Sequence, residues 1–213
     1  MMKRNLCARQ NGFTIVELLI ATMVFSVVLL LVTFGILQVS RVYYKGVTEA
    51  NTQNVARGIM DSVSQAIQFS GGAVSTTPGS PVAGTSYGFC VNNQLYSYML
   101  GYQLTDAITL LSDQTHHAMV VRTVPSCNPG SPQTLTGSVS GRELLSPHMR
   151  LADFEVNSVG TNLYQIVVRV VYGDKAILSV PSTAANVNCA GVYAGTQFCA
   201  VSDLTTTVVK RVQ

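Results

Sequence analysis

Apolar residues run almost without interruption from Phe13 to Leu37, and Glu17 is the single charged residue among them. A run of this length, about 25 residues at 1.5 Å each, crosses a bilayer core as a helix with some tilt. Beyond Leu37 the pattern becomes periodic. Val39, Val42, Tyr43, Gly46, Val47 and Ala50 fall at i, i+3, i+4, i+7, i+8 and i+11, the spacing of one helix face. A second stripe, Val55, Ile59, Val63, Ala66 and Ile67, points roughly opposite to the first at about 100° per residue. No proline precedes Pro78, and Gly71-Gly72 is the first strong breaker, so one helix is expected from Phe13 to Ser70. Gly35, Gly46 and Gly58 are its weak points. Two apolar faces at different heights imply two partners. The first half is expected to pack on neighbouring helices and the second on the chain's own globular part.

After Gly72 the pattern changes again. A Gly/Ser/Thr/Pro-rich stretch, "SGGAVSTTPGSPVAGTS", predicts a loop. Strand-like runs follow: "YGFCV" and "QLYSYML" flank Asn92-Asn93 as a hairpin, then "HAMVVRTV", "MRLADFEV", "YQIVVRVVYG" and "KAILSV", with "TTTVVKRV" closing the chain. Tyr172-Gly173-Asp174-Lys175 predicts a tight turn between two of these strands. "LTDAITLLS" suits a short helix or an irregular crossover. One long helix followed by mainly antiparallel strands is an α+β layout.

Composition and charge then narrow the setting. Charged residues make up only 11% of the chain and hydrophobic ones 47%, against roughly 25% charged in average soluble proteins. Of 13 basic residues, Lys3, Arg4 and Arg9 precede Gly12, which leaves ten against ten acidic ones. The remainder is formally neutral, so strong nucleic-acid binding is not expected. The basic N-terminus places itself in the cytoplasm and the chain after Leu37 outside. The apolar run is longer than a secretory h-region, and Gln38-Val39-Ser40-Arg41 is a poor signal-peptidase site. A plain signal anchor fits the hydropathy but leaves Glu17 unexplained, because a carboxylate near the centre of a membrane helix costs roughly 2.5–3.5 kcal/mol.

"GFTIVELLIA", behind a short basic leader, resembles the processing and assembly signature of type IV pilins and type II secretion pseudopilins. The resemblance implies that residues 1–12 are a leader, that a membrane prepilin peptidase cuts between Gly12 and Phe13, and that Phe13 becomes an N-methylated N-terminus. It implies that Glu17 is the assembly glutamate, pairing with the Phe13 amine of an adjacent subunit or its own. Two unit charges close together in a low-dielectric medium attract strongly, so one axial stagger satisfies Glu17 and sets the register between helices. The implied organisation is a leader (1–12), a transmembrane helix (13–37), an amphipathic helix continuing into the head (38–70) and a β-rich extracytoplasmic head (71–213). The later half, "LLSPHMRLADFEV", a hairpin and Thr206-Thr207-x-Val209-x-Arg211, is more loosely similar to PilW-type minor pilins and J-type pseudopilins.

Of the five cysteines, Cys7 lies in the leader. Cys90, Cys127, Cys189 and Cys199 lie on the oxidising side, where disulfides form. Four cysteines allow three connectivities. Cys189 and Cys199, close in sequence across a Gly-rich loop, are the favoured pair, leaving Cys90 with Cys127. A zinc site is the alternative, although no C-x₂-C spacing supports it. Catalytic patterns are weak. His116-His117 is not H-E-x-x-H. Ser146 and His148 lack a G-x-S-x-G turn, and in "GSVSG" Val139 occupies the nucleophile's place. Asp153 and Glu155 share a strand face as a solvated edge would. No enzyme activity and no cofactor are expected.

The expected function is that of a minor pilin or pseudopilin, with prepilin peptidase, other minor and major pilins and the inner membrane as partners. It would be a single-pass protein, head outside, that then joins a type IV pilus or related filament in its priming or tip complex. A type II secretion pseudopilin, and a membrane-anchored binding or sensor domain that never polymerises, are the alternatives. Only the pilin readings require cleavage after Gly12.

Overall fold

The computed structural model describes residues 12–76, 85–102, 117–174, 177–179, 187–190 and 195–211. Residues 1–11, "LTDAITLLS", His116, and the stretches 77–84 and 180–186 lie outside the described residues. Among the described residues one α-helix, α1 (Ile15–Phe69), precedes ten strands: β1 (Val74–Thr76), β2 (Ser86–Val91), β3 (Gln94–Met99), β4 (Met119–Thr123), β5 (Arg142–Glu143), β6 (Met149–Gly160), β7 (Leu163–Tyr172), β8 (Leu178–Ser179), β9 (Asn188–Cys189) and β10 (Ala200–Val209). The fold is α+β, as the sequence predicts. The chain divides inside α1 into two compact units, Met1–Tyr43 and Tyr44–Gln213.

In the first unit α1 is apolar on every side and its large hydrophobic residues, from Phe13 to Tyr43, are all exposed. The helix is long and apolar enough to cross a membrane. It runs through Gly35 without a break, and the second unit's part of α1 likewise passes Gly46 and Gly58.

In the second unit the helix gains a partner. Thr52, Ala56, Ile59, Met60, Val63 and Ile67 are buried, and the apolar members among them join one core with β2, β3, β4, β6, β7 and β10. This stripe is rotated from the expected one: Val55 and Ala66 flank the buried line, while Thr52, Ala56 and Met60 complete it. Thr52 tolerates burial because its hydroxyl donates to the Thr48 carbonyl at 2.8 Å. The helix ends at Phe69. Its Gln68 carbonyl accepts the Arg211 N–H at 3.1 Å, so the segment after the last strand satisfies a carbonyl that the helix itself leaves open.

Two antiparallel sheets face this core. The first is a meander in the order β1-β2-β3-β4-β5 and the second has the order β10-β7-β6. Asn92-Asn93 joins β2 to β3, with Val91 opposite Gln94 and Asn92 in the left-handed region (φ 53°) that Asn tolerates. Gly72 packs so closely on this turn that a Cβ would lie 2.8 Å from Asn92 Cα. Phe89, Tyr98 and Phe154 bridge the sheets: ring centroids are 6.0 Å apart for Phe89–Phe154 and 4.9 Å for Tyr98–Phe154, both edge-on.

The turn predicted at Tyr172-Gly173-Asp174-Lys175 falls between β7 and β8, with Lys175 outside the described residues, but it does not make those two strands a hairpin. The chain does turn there, with the Ile177 N–H donating to the Asp174 carbonyl at 3.0 Å. Yet β8 pairs with β9 rather than with β7. The reason is that β7 is central: Tyr172 already lies between Met149 of β6 and Ala200 of β10, so neither edge is open. Instead β8 and β9 cover the other face of this sheet, where Leu178 and Val187 pack with Ala152, Val171 and Cys199 in a small second core.

Candidate functional site

The start of α1 carries the candidate site. Thr14 precedes the first helical residue, and its carbonyl accepts the Leu18 N–H at 3.2 Å, the i→i−4 bond that an N-cap residue begins. The Glu17 N–H donates to Thr14 Oγ1 at 3.3 Å. In return Glu17 Oε2 accepts the Thr14 N–H at 3.2 Å and the Thr14 hydroxyl at 3.0 Å. This is a capping box, Thr-x-x-Glu, in which side chain and backbone reciprocally satisfy the open donors of a helix start. Glu17 therefore has a local partner, Thr14, before any subunit arrives, whereas the resemblance implied only a pairing with a Phe13 amine, of an adjacent subunit or its own. Its negative charge also suits the N-terminal end of the helix dipole.

Gly12 and Phe13 lie just outside the helix, both exposed, with Phe13 83% exposed. A Cβ at Gly12 would meet no atom within 4 Å among the described residues, so none of them requires glycine there. The remaining polar side chains of the apolar run bond to the helix's own carbonyls: Thr22 to Leu19 at 3.0 Å, Ser26 to Thr22 at 2.8 Å and Thr33 to Leu29 at 2.8 Å. Together with Thr14 and Glu17, every polar side chain between Phe13 and Leu37 has an internal hydrogen bond. Hydrocarbon demands this, since it offers no water to an open hydroxyl.

A family model described as the prokaryotic N-terminal methylation motif matches residues 7–33, which include Gly12, Phe13 and Glu17. No curated protein and no solved structure matches the chain. With this motif at the head of a long apolar helix, followed by a mainly antiparallel β-region, the chain is a type IV pilin-like protein. More narrowly, the motif marks it as a precursor of the pilin or pseudopilin type.

The four cysteines of the head are joined as Cys90–Cys127 and Cys189–Cys199. The first bond ties β2 to the loop after β4, against which Gly88 packs so tightly that a Cβ would lie 2.3 Å from the Pro129 carbonyl oxygen. The second ties β9 to the residue before β10. Sulfurs in disulfides are not thiolates, so the zinc alternative has no Cys ligands left. Among the described residues no group of three or more His, Cys, Asp or Glu is gathered as a metal site would need.

The other sequence candidates are dispersed. His117 Nδ1 lies 3.2 Å from Glu143 Oε2. His148 is exposed, 3.8 Å from Asp174 and edge-on to Tyr172. Asp153 and Glu155 lie on β6, an outer strand of its sheet, with Asp153 opposite Arg169. Burial pushes the Asp153 carboxyl above its ordinary value; Glu155 and Asp203 add to this, and the Phe154 N–H and Arg169 oppose it.

Two structural residues had no local signature. Glu143 Oε1 accepts the N–H groups of Met119, Leu144 and Leu145 at 3.0–3.2 Å, and Oε2 that of Ala118 at 3.3 Å. Arg150, 4% exposed, donates to the carbonyls of Gly101 (3.1 Å) and Gly173 (3.2 Å), tying the ends of β3 and β7 together. Most of their partners lie 23 to 49 residues away, beyond any motif window.

Proposed function

We propose that the chain is a minor pilin-type subunit: cut by prepilin peptidase between Gly12 and Phe13, N-methylated on Phe13, and assembled through α1 with other minor and major pilins. The role is structural, with no catalysis. The observation that carries this reading is the first unit itself, a helix apolar all round and exposed, with a single carboxylate one turn beyond the processing motif. Such a surface is stable only in lipid or among like helices. Cleavage frees an α-amine at Phe13, and Glu17 is the carboxylate within reach of it or of a neighbour's. The protein would first span the inner membrane with its N-terminus in the cytoplasm and its head outside, and then enter the filament. Two disulfides in the head suit that oxidising side. The large head and the Thr206-Thr207-x-Val209-x-Arg211 ending favour a minor subunit, in a priming or tip complex, over the bulk one.

N-terminal mass spectrometry of the membrane fraction tests the proposal. The expected terminus is N-methyl-Phe13, and Gly12→Val blocks its formation because the peptidase meets a bulky side chain. An intact Met1 terminus in cells with an active prepilin peptidase refutes it. A processed protein far less abundant than the main subunit in sheared filaments supports the minor role; equal abundance overturns that part.

A further inference from the structure

Within the second unit, a groove of about 690 Å³ lies between the last turns of α1 and strands β3 to β5. A smaller groove of about 350 Å³ shares Gln65, Ala66, Phe69, Gln94 and Thr123 with it, so the two form one trough. The volume is that of small-molecule sites, roughly 300–1,000 Å³. The lining chemistry is specific. Phe69, 62% exposed, lines both halves as an aromatic face without a place in the core. Gln65 and Gln94 also line both halves, and Asn92 and Asn93 extend the amide set. Each amide offers donors and an acceptor. Gln94 Oε1 accepts the Tyr96 hydroxyl at 3.0 Å, which fixes the amide and leaves its NH₂ to donate.

No Asp or Glu lines either half. The positive charge on the core-side face comes from Arg142. Strand register sets Tyr96, Val121 and Arg142 in one row across β3, β4 and β5, on the face turned to α1. Arg122, one residue along β4, also lines the larger half. Arg142 takes no part in either ion pair among the described residues. The neighbouring carboxylate, Glu143, is held by backbone N–H groups and is not a counter-ion for it.

We propose that this trough binds a carboxylate-bearing saccharide. Arg142 pairs with the carboxylate, Phe69 stacks on the apolar face of a sugar ring, and Gln65 and Gln94 hydrogen-bond its hydroxyls. Vicinal hydroxyls both donate and accept, as the amides do, and a ring's C–H face complements an exposed aromatic. The two arginines that line the larger half, Arg142 and Arg122, suit one carboxylate. A polyphosphate backbone would need several, and the chain after Gly12 has ten basic residues balanced by ten acidic ones. This proposal concerns the head and does not rest on filament assembly.

The test uses the full chain in detergent micelles, titrated calorimetrically with trigalacturonic acid, a neutral galactose trisaccharide, inorganic phosphate and a single-stranded oligodeoxynucleotide. Trigalacturonic acid is expected to bind. Arg142→Gln and Phe69→Ala are each expected to weaken it by roughly tenfold or more, while Arg57→Gln, on an exposed helix position outside the trough, leaves it unchanged. Both trough residues are exposed, and far-UV circular dichroism confirms that each variant is folded. No binding of trigalacturonic acid overturns the proposal. So does equal binding of the neutral sugar, unchanged affinity in Arg142→Gln, or tighter binding of phosphate or the oligonucleotide.

Discussion

Glu17 combines two roles that one substitution can separate. In the chain as it stands, its carboxylate closes a capping box with Thr14 through contacts of 3.0–3.3 Å. In an assembly, the same carboxylate would neutralise a Phe13 amine. Glu17→Gln keeps the first role, since Gln serves in the same box, and removes the charge. Thr14→Ala does the reverse: it loses the cap, worth about 1 kcal/mol, and keeps the carboxylate. Membrane insertion of Glu17→Gln should be unchanged or improved, because a carboxylate costs up to roughly 2.5–3.5 kcal/mol in a bilayer helix. Leaving a buried amine without its partner costs about 3–5 kcal/mol, roughly a hundredfold to several thousandfold in the association equilibrium. Glu17→Gln is therefore expected to be processed and present in the inner membrane, yet absent from sheared filaments and from pull-downs of partner subunits, as Glu17→Leu would be. Thr14→Ala should still assemble, at a level reduced by no more than about tenfold. The assay is cell fractionation with quantitative immunoblotting and N-terminal sequencing of each fraction. Wild-type incorporation of Glu17→Gln would refute the charge-pairing account. If Thr14→Ala fails as completely as Glu17→Gln, the cap and not the charge is what assembly needs.

Three further outcomes follow from the head. Loop-closure entropy for separations of 37 and 10 residues assigns Cys90–Cys127 about 3.8 kcal/mol and Cys189–Cys199 about 2.7 kcal/mol; non-reducing peptide mapping should show both pairs, and the Cys90→Ser/Cys127→Ser variant should melt lower than Cys189→Ser/Cys199→Ser. Asp153 has a raised folded-state pKa, chiefly through burial, so its ionisation opposes folding, and its contribution worsens as pH rises from the unfolded Asp value through the folded one. Asp153→Asn should therefore raise the urea midpoint at pH 7, with the gain vanishing as the pH falls below the ordinary Asp range; a lower midpoint at pH 7 contradicts this. Glu143→Ala strands backbone donors of Ala118, Met119, Leu144 and Leu145 and should destabilise the head by about 1–3 kcal/mol in denaturant unfolding, whereas an unchanged midpoint would mean that water replaces the carboxylate.

What the sequence determined by itself closes over short distances along the chain. The apolar run and the Gly71-Gly72 stop each act within a turn or two of helix, so residue order alone specifies α1. The Asn92-Asn93 turn is legible for the same reason, because two residues and their neighbours contain the whole hairpin reversal. Tertiary structure decided what depends on distant segments. The helix face that is buried was displaced from the predicted stripe because two sheets, not one helix's periodicity, choose it, and Thr52 could join because the preceding turn accepts its hydroxyl. The partner of β8 was set by the occupancy of both edges of β7, with β10 arriving from the end of the chain. Glu143 and Arg150 became structural ties only when remote backbone groups were brought to them. Non-local pairing has no periodic trace in the sequence, since each partner is specified by what the rest of the fold has already satisfied.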